Sequence, residues 1–269
     1  MIMSLVSEIR ISQLIVEAFA ARFGDCLQLD VAVAGAGPSG MQAAMDLARE
    51  GLKVAVFERQ LHVGGGMWGG GMLLPCIVVE EEAADLLRDI GIRLTPREGG
   101  LYTADAVEAV SKTTAAAIDA GATIWVGMAV EDVVIRHEGR VAGVVLNWGA
   151  VEAAGMHVDP LALMAHCVID ATGHHAEVTR RLLSKLPGAR LCHGAEQVPG
   201  EQPMWAEAGE AALVPNTREV YPGLIVAGMA ANAVFGSPRM GAIFGGMFLS
   251  GRRAAQLAAD VVRRHQASP

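Results

Sequence analysis

The 269-residue chain is 52% hydrophobic but only 4% aromatic, carries 32 glycines and has a formal net charge of −8. That length supports one large domain or two intertwined ones with an ample core, while an acidic balance without a basic stripe argues against a nucleic-acid surface. No apolar run reaches the ~18 residues needed to span a membrane, and Glu8 and Arg10 interrupt the N-terminal apolar pattern, so the protein is read as cytoplasmic. Cys26, Cys76, Cys167 and Cys192 form no CxxC, a pattern that indicates neither a disulfide framework nor a cysteine zinc site.

In chain order, the apolar spacing of Ser4–Phe23 predicts a helix that packs before the first strand. Asp30–Glu58 then reads DVAVAGAGPSGMQAAMDLAREGLKVAVFE. An apolar strand (Val31–Ala34) leads into a turn with Gly35, Gly37 and Gly40. A helix follows to about Gly51, and a second strand (Lys53–Phe57) ends at Glu58. Gly35 permits the tight turn, Gly37 lets backbone amides approach a pyrophosphate, and Gly40 lets helix and strand pack closely. The helix N-terminus offers unpaired N–H groups to phosphate. Glu58 is placed to accept hydrogen bonds from an adenosine ribose. Strand, helix and terminal acid occur in register, which is the context a glycine motif needs to indicate an adenine dinucleotide.

Two glycine clusters follow, Gly64–Gly66 and Gly69–Gly71; their entropic cost points to a loop passing close to a ligand. Helices are expected at Glu80–Asp89 and Asp105–Ala120. A hairpin is expected from Thr123–Arg136 and Arg140–Asn147 across His137-Glu138-Gly139, placed to wall the adenine. A short strand, Cys167–Ile169, enters Asp170-Ala171-Thr172-Gly173. Pro222–Gly228 reads as a late strand and Gly245–His265 as a closing helix. These features predict an α/β, doubly wound Rossmann-type dinucleotide-binding fold of the flavoprotein, glutathione-reductase-like kind with an inserted β-hairpin. They also predict one interwoven unit, its binding core at about 28–60, 123–147, 166–180 and 215–265.

Two further groups carry chemistry. His157, Asp159 and His174 offer two imidazoles and a carboxylate, a set with open positions that suits Fe(II). A polar loop without metal fits the same spacing, and both readings stand. Arg239, between Pro238 and Met240-Gly241, is placed to clamp a carboxylate bidentately or to lie as a surface arginine in a turn.

Taken together, VAGAGPSG (Val33–Gly40), FER (Phe57–Arg59), GGGMWGGGM (Gly64–Met72), VAGVVLNW (Val141–Trp148), HVDP (His157–Pro160), DATGHHAEV (Asp170–Val178), NTREVYPGLIVAGM (Asn216–Met229) and PRMGAIFGGM (Pro238–Met247) resemble the thiamine thiazole synthase family, in its archaeal and bacterial branch. The resemblance implies that NAD, glycine and a sulfur source become an adenylated thiazole carboxylate. NAD loses nicotinamide and serves as a carbon skeleton, and the enzyme assembles as a homo-octamer. It further implies that Ser39, Glu58, Arg59, Gly66 and Val130 hold the adenosine diphosphate part. Asp159 and His174 bind Fe(II), with Asp159 able to serve a neighbouring subunit. Arg239 grips the glycine carboxylate beside Met229. In the fungal and plant branch the position of His157 is a cysteine that surrenders its sulfur. Imidazole has none to give, so exogenous sulfide and multiple turnover are expected here, with Cys76 the cysteine worth testing as a donor.

Three other readings remain in the sequence. An FAD-dependent oxidoreductase shares the first motif, but its late strand usually ends in Gly-Asp where this chain has Gly228-Met229. A ribose-bisphosphate isomerase would need a second phosphate loop, and none is evident. A non-enzymatic dinucleotide-binding or iron-storing protein is opposed only by the convergence of His157, Asp159, His174 and Arg239 on one pocket.

Overall fold

A computed structural model describes residues 6–136 and 139–266. The expected hairpin tip at His137-Glu138, and Ser4 and Leu5 of the expected first helix, lie outside the described residues.

Helix α1 (Glu8–Asp25) begins at Ser7, whose hydroxyl accepts the Arg10 N–H. None of its residues is buried. It is held through one end, where Phe19 and Phe23 stack 5.5 Å apart and both meet Trp125 edge-on at 5.6 Å. The expected packing helix therefore forms, yet Ile9, Leu14, Ile15 and Val16 face outward. Helical spacing identifies an apolar stripe without saying what covers it.

The glycine motif builds strand β1 (Gln28–Ala34), helix α2 (Pro38–Arg49) and strand β2 (Val54–Glu58). Next come β3 (Cys76–Glu80), α3 (Glu81–Asp89), β4 (Thr95–Pro96), β5 (Leu101–Asp105) and α4 (Ala106–Asp119). Strands β3, β5 and β4 form a small antiparallel sheet that no alternation in the sequence announced. The long strand expected at Thr123–Arg136 divides at Gly127, whose φ of +75° breaks extended geometry. The pieces are β6 (Thr123–Val126) and β7 (Met128–Arg136), followed by β8 (Arg140–Trp148) and α5 (Gly149–Ala153). Strand β9 spans Leu161–Asp170, far longer than the predicted Cys167–Ile169. The chain ends through α6 (Glu177–Lys185), α7 (Ala206–Asn216), β10 (Arg218–Tyr221), β11 (Leu224–Val226), α8 (Met229–Phe235) and α9 (Gly245–Gln266).

Among the described residues the main sheet runs β10-β11-β9-β1-β2-β6, with the β7–β8 hairpin attached through β8 to β9. Strand β9 is the joint: its first residues pair antiparallel with β8, and its later ones pair parallel with β1 and β11. Both faces of β1 are buried. Val31 and Val33 pack beneath α2 and α9, and Ala32 and Ala34 face the core shared with the hairpin. That explains its unbroken apolar run. Helices α2 and α9 cross closely because Gly251 lacks a Cβ, which would lie 2.4 Å from the Ser39 carbonyl oxygen. The fold is thus the expected doubly wound one with an inserted hairpin. No described helix is long and apolar enough to cross a membrane.

Under the start of α9 lie two carboxyls, Glu80 and Glu210, against Gly245 and Gly246, where any Cβ would strike their oxygens. Gly246 N–H donates to Glu210 at 2.6 Å. Burial, reinforced by the adjacent Glu80, pushes the Glu210 carboxyl up to about 9 from 4.5. The folded protein therefore holds a proton that the unfolded chain releases near pH 4.5, so this contribution is fully present in acid and lost as pH rises toward 9. Urea midpoints are expected to fall between about pH 5 and pH 9, and Glu210→Gln to flatten that slope and raise the midpoint at the alkaline end. An unchanged slope would assign the dependence to other groups.

Candidate active site

Strands β1, β2, β9 and β11 all end at the same edge of the sheet, where open α/β folds bind ligands. The residues that follow those ends enclose a cavity of about 600 Å³. One wall is the glycine motif. Gly35 has φ +99° and faces the Ala171 carbonyl so closely that a Cβ would lie 2.4 Å from its oxygen. A Cβ at Gly40 would lie 2.1 Å from the Gly35 oxygen, whereas one at Gly37 would meet nothing within 4 Å. Gly40 therefore serves packing and does not line the cavity. Gly37, the N-cap of α2, lines it with Gly35 and Ser39. The second glycine cluster folds over this turn: Gly64 N–H donates to the Ala36 carbonyl at 2.7 Å, and Gly65, Gly66, Gly70 and Gly71 line the cavity.

Glu58 is 8% exposed, and each carboxylate oxygen already accepts a backbone N–H, from Ala36 at 2.9 Å and Gln60 at 2.8 Å. Beside it Arg59 pairs with Glu177 at 2.5 Å. Burial pushes the Glu177 carboxyl up, with Arg59 opposing that shift. Val130, on the hairpin, closes this end.

The opposite wall starts at Asp170, which is fully buried. One oxygen accepts from the Thr172 N–H and hydroxyl, the other from the Thr179 N–H and hydroxyl at 2.9 and 2.7 Å. These bonds pin the turn Gly173–His175 between β9 and α6 and set His174 and His175 on the cavity wall. His174 Nδ1 lies 2.8 Å from both carboxylate oxygens of Glu201. Arg239 and Met229 complete this wall. Met229 follows Gly228, whose φ of +61° and contact with Ser39 leave no room for a Cβ. The main chain of Arg239 is tied on both sides, its N–H to the Gln202 carbonyl and its carbonyl to the Trp205 N–H.

Thus Gly35, Gly37, Ser39, Glu58, Arg59, Gly66, Val130, His174, Met229 and Arg239 share one cavity. His157 and Asp159 are not brought there. They lie on the segment between α5 and β9 with side chains 93% and 100% exposed, 3.9 Å apart. Among the described residues no three His, Cys, Asp or Glu side chains group as a metal set. None of the four cysteines lines the cavity. Cys26 and Cys167 are buried, burial pushing the Cys167 thiol up to about 12, and Cys76 and Cys192 are exposed elsewhere. Glu201 has no signal in the sequence because a lone glutamate outside a motif does not announce its spatial neighbour, and Glu177, although inside DATGHHAEV, has none for its pairing with Arg59 across 118 positions.

Known proteins are similar to this chain over nearly its whole length. The model of the Thi4 family matches residues 12–244. The thiamine thiazole synthase of Methanothermobacter thermautotrophicus is 52% identical over 252 residues, covering 94% of this chain and 97% of that protein. The one from Desulfosudis oleivorans is 52% identical over 261 residues, covering 96% and 98%. The crystal structure of Thermovibrio ammonificans THI4 superposes with a TM-score of 0.92 at 44% identity, covering 97% of this chain and 100% of that one.

The two glycines separate folding from binding. Gly40→Ala is expected to cost about 2–3 kcal/mol of unfolding free energy, because the obstructing atom is backbone. Gly37→Ala is expected to leave stability within about 0.5 kcal/mol and to weaken ADP binding measured by calorimetry. Equal destabilisation by both would contradict the geometry.

Proposed function

The chain belongs to the Thi4 family, and on that premise we propose that it forms the adenylated thiazole precursor of thiamine from NAD, glycine and exogenous sulfide, with many turnovers. The observation carrying this reading is that a dinucleotide-type wall, with Gly35, Glu58 and Arg59, faces an imidazole and guanidinium wall, with His174 and Arg239, across one cavity that contains no thiol. Ser39, Glu58, Arg59, Gly66 and Val130 hold the adenosine diphosphate part. Backbone amides at the start of α2 receive the pyrophosphate, and Glu58 accepts ribose hydroxyls. Arg239, beside Met229, clamps the glycine carboxylate and orients its amine toward the opened sugar.

His174 and Asp159 are the residues that would hold Fe(II). The fit rests on His174, whose Nδ1 is engaged by the largely covered carboxylate of Glu201 in the manner of metal-binding histidines. The ion, when bound, supplies a Lewis acid that can present sulfide. Asp159 lies outside this chain's own cavity, so in this reading it serves the cavity of another copy. The uncovered apolar face of α1 supports such an assembly, for which a homo-octamer is the proposed form. His157, carried on the same exposed segment, replaces the sacrificial cysteine of the other branch. Sulfur must then arrive from solution.

Anaerobic incubation with NAD, glycine, Fe(II) and sulfide, followed by mass spectrometry, tests the proposal. Many equivalents of ADP-thiazole per chain are expected, with Arg239→Ala raising the glycine KM about 100-fold. A single equivalent accompanied by loss of one sulfur from the protein would sink the catalytic reading and direct attention to Cys76. A bound flavin spectrum without thiazole would favour an oxidoreductase, although Gly228-Met229 removes that class's usual ribityl contact. Turnover of a ribose bisphosphate without NAD would favour an isomerase. Metal binding alone would leave a storage or binding protein.

A further inference from the structure

Glu201 belongs to no motif and does not line the cavity, yet it is among the most constrained side chains near it. Its side chain is 12% exposed and places both oxygens 2.8 Å from His174 Nδ1. The backbone on either side is fixed. Gly200 N–H donates to the Ala233 carbonyl at 3.0 Å, and Gln202 N–H to the Ser237 carbonyl at 3.1 Å. The Gln202 side chain donates to the Gly236 carbonyl at 2.6 Å, and its own carbonyl accepts the Arg239 N–H. Glu201 therefore approaches His174 from a clamped strap, from behind the cavity wall.

A carboxylate can only accept, so the bond requires the proton on Nδ1. A neutral imidazole so held carries its lone pair on Nε2, and the same bond fixes the plane of the ring. The neighbouring His175 also lines the cavity, but its ring makes no hydrogen bond among the described residues. The geometry thus singles out one of two adjacent imidazoles. An outer carboxylate on a histidine fixes the tautomer, orients the ring and raises its basicity toward a metal.

We propose that Glu201 is a positioning residue that presents His174 Nε2 to the metal. It sits on the strap that, through Gln202, also sets the main chain of Arg239. The metal arm and the carboxylate clamp are thereby held in fixed relation by one short segment. The inference rests on the reading of His174 as an iron ligand, and the test separates the two.

Co(II), which reports its ligands by visible absorption, is titrated into the full-length protein and into Glu201→Gln, Glu201→Asp and His174→Ala. ADP affinity serves as the check on folding. Glu201→Gln is expected to raise the Co(II) dissociation constant roughly 10- to 100-fold, with ADP affinity unchanged and Glu201→Asp recovering part of the loss. Long-range 15N–1H spectra of the metal-free wild type are expected to show His174 as the Nδ1–H tautomer, a preference that Glu201→Gln weakens. Unchanged Co(II) affinity in Glu201→Gln, while His174→Ala abolishes binding, overturns the role of Glu201 and leaves the ligand reading standing. Unchanged Co(II) binding in His174→Ala overturns the ligand reading and the inference with it. Should the Glu201 variants fail to fold, an Nε2–H tautomer of His174 in the wild type overturns the proposal without them.

Discussion

The approach of the Gly40 Cα to the Gly35 carbonyl is the contact on which the remaining arrangement depends. It lets α2 start immediately above the end of β1, so that the helix N-terminus opens into the cavity. The other side of the same turn is filled by the Ala171 carbonyl, which fixes the distance between the ends of β1 and β9. Any side chain at either glycine would push the two strand ends apart and separate the walls that carry Glu58 and His174. The backbone therefore contributes shape at this point, and the side chains contribute chemistry one residue further out.

Asp170 performs the matching task on the other wall. A fully buried carboxylate is costly unless every lone pair direction is answered. Here four donors from Thr172 and Thr179 answer it. The result is a turn that cannot relax, and this allows His174 to be held by a single outer bond to Glu201. Glu210 beneath α9 answers burial differently, its carboxyl pushed up so far that it retains a proton. The molecule thus uses both available answers to a buried acid, donors where rigidity is needed and protonation where only packing is needed.

Much of this was legible in the sequence, for identifiable reasons. The β1–α2–β2 unit follows from local chemistry, since apolar runs, glycine spacing and a terminal acid all lie within thirty residues of one another. Ten of the expected site residues lie on segments bounded by such local signals and meet in one cavity. What the sequence did not reveal is long-range. The sheet of β3, β5 and β4 pairs short strands with little alternation, and β9 changes partners midway, so no single periodicity describes it. Asp159 and His157 carry a recognisable motif but lie on an exposed segment outside the cavity. Glu201 reaches His174 across 27 positions with no pattern between them. Spacing places residues on elements; only packing places elements against one another.

The two backbone N–H groups bound to Glu58 have an effect on what the cavity admits. Each oxygen of that carboxylate is anchored before any ligand arrives, so the group cannot swing aside, and its buried position keeps it poorly screened. It offers lone pairs to hydroxyls and repulsion to anions. A nucleotide bearing a phosphate on its adenosine 2′-oxygen would bring a dianion against that fixed charge. The comparison of ADP with its 2′-phosphorylated counterpart measures this directly, and equal affinities would refute it. On the proposal that the cavity takes a nicotinamide dinucleotide, the same two amides that order the turn would make the site a filter between its two common pools, independent of any reaction that follows.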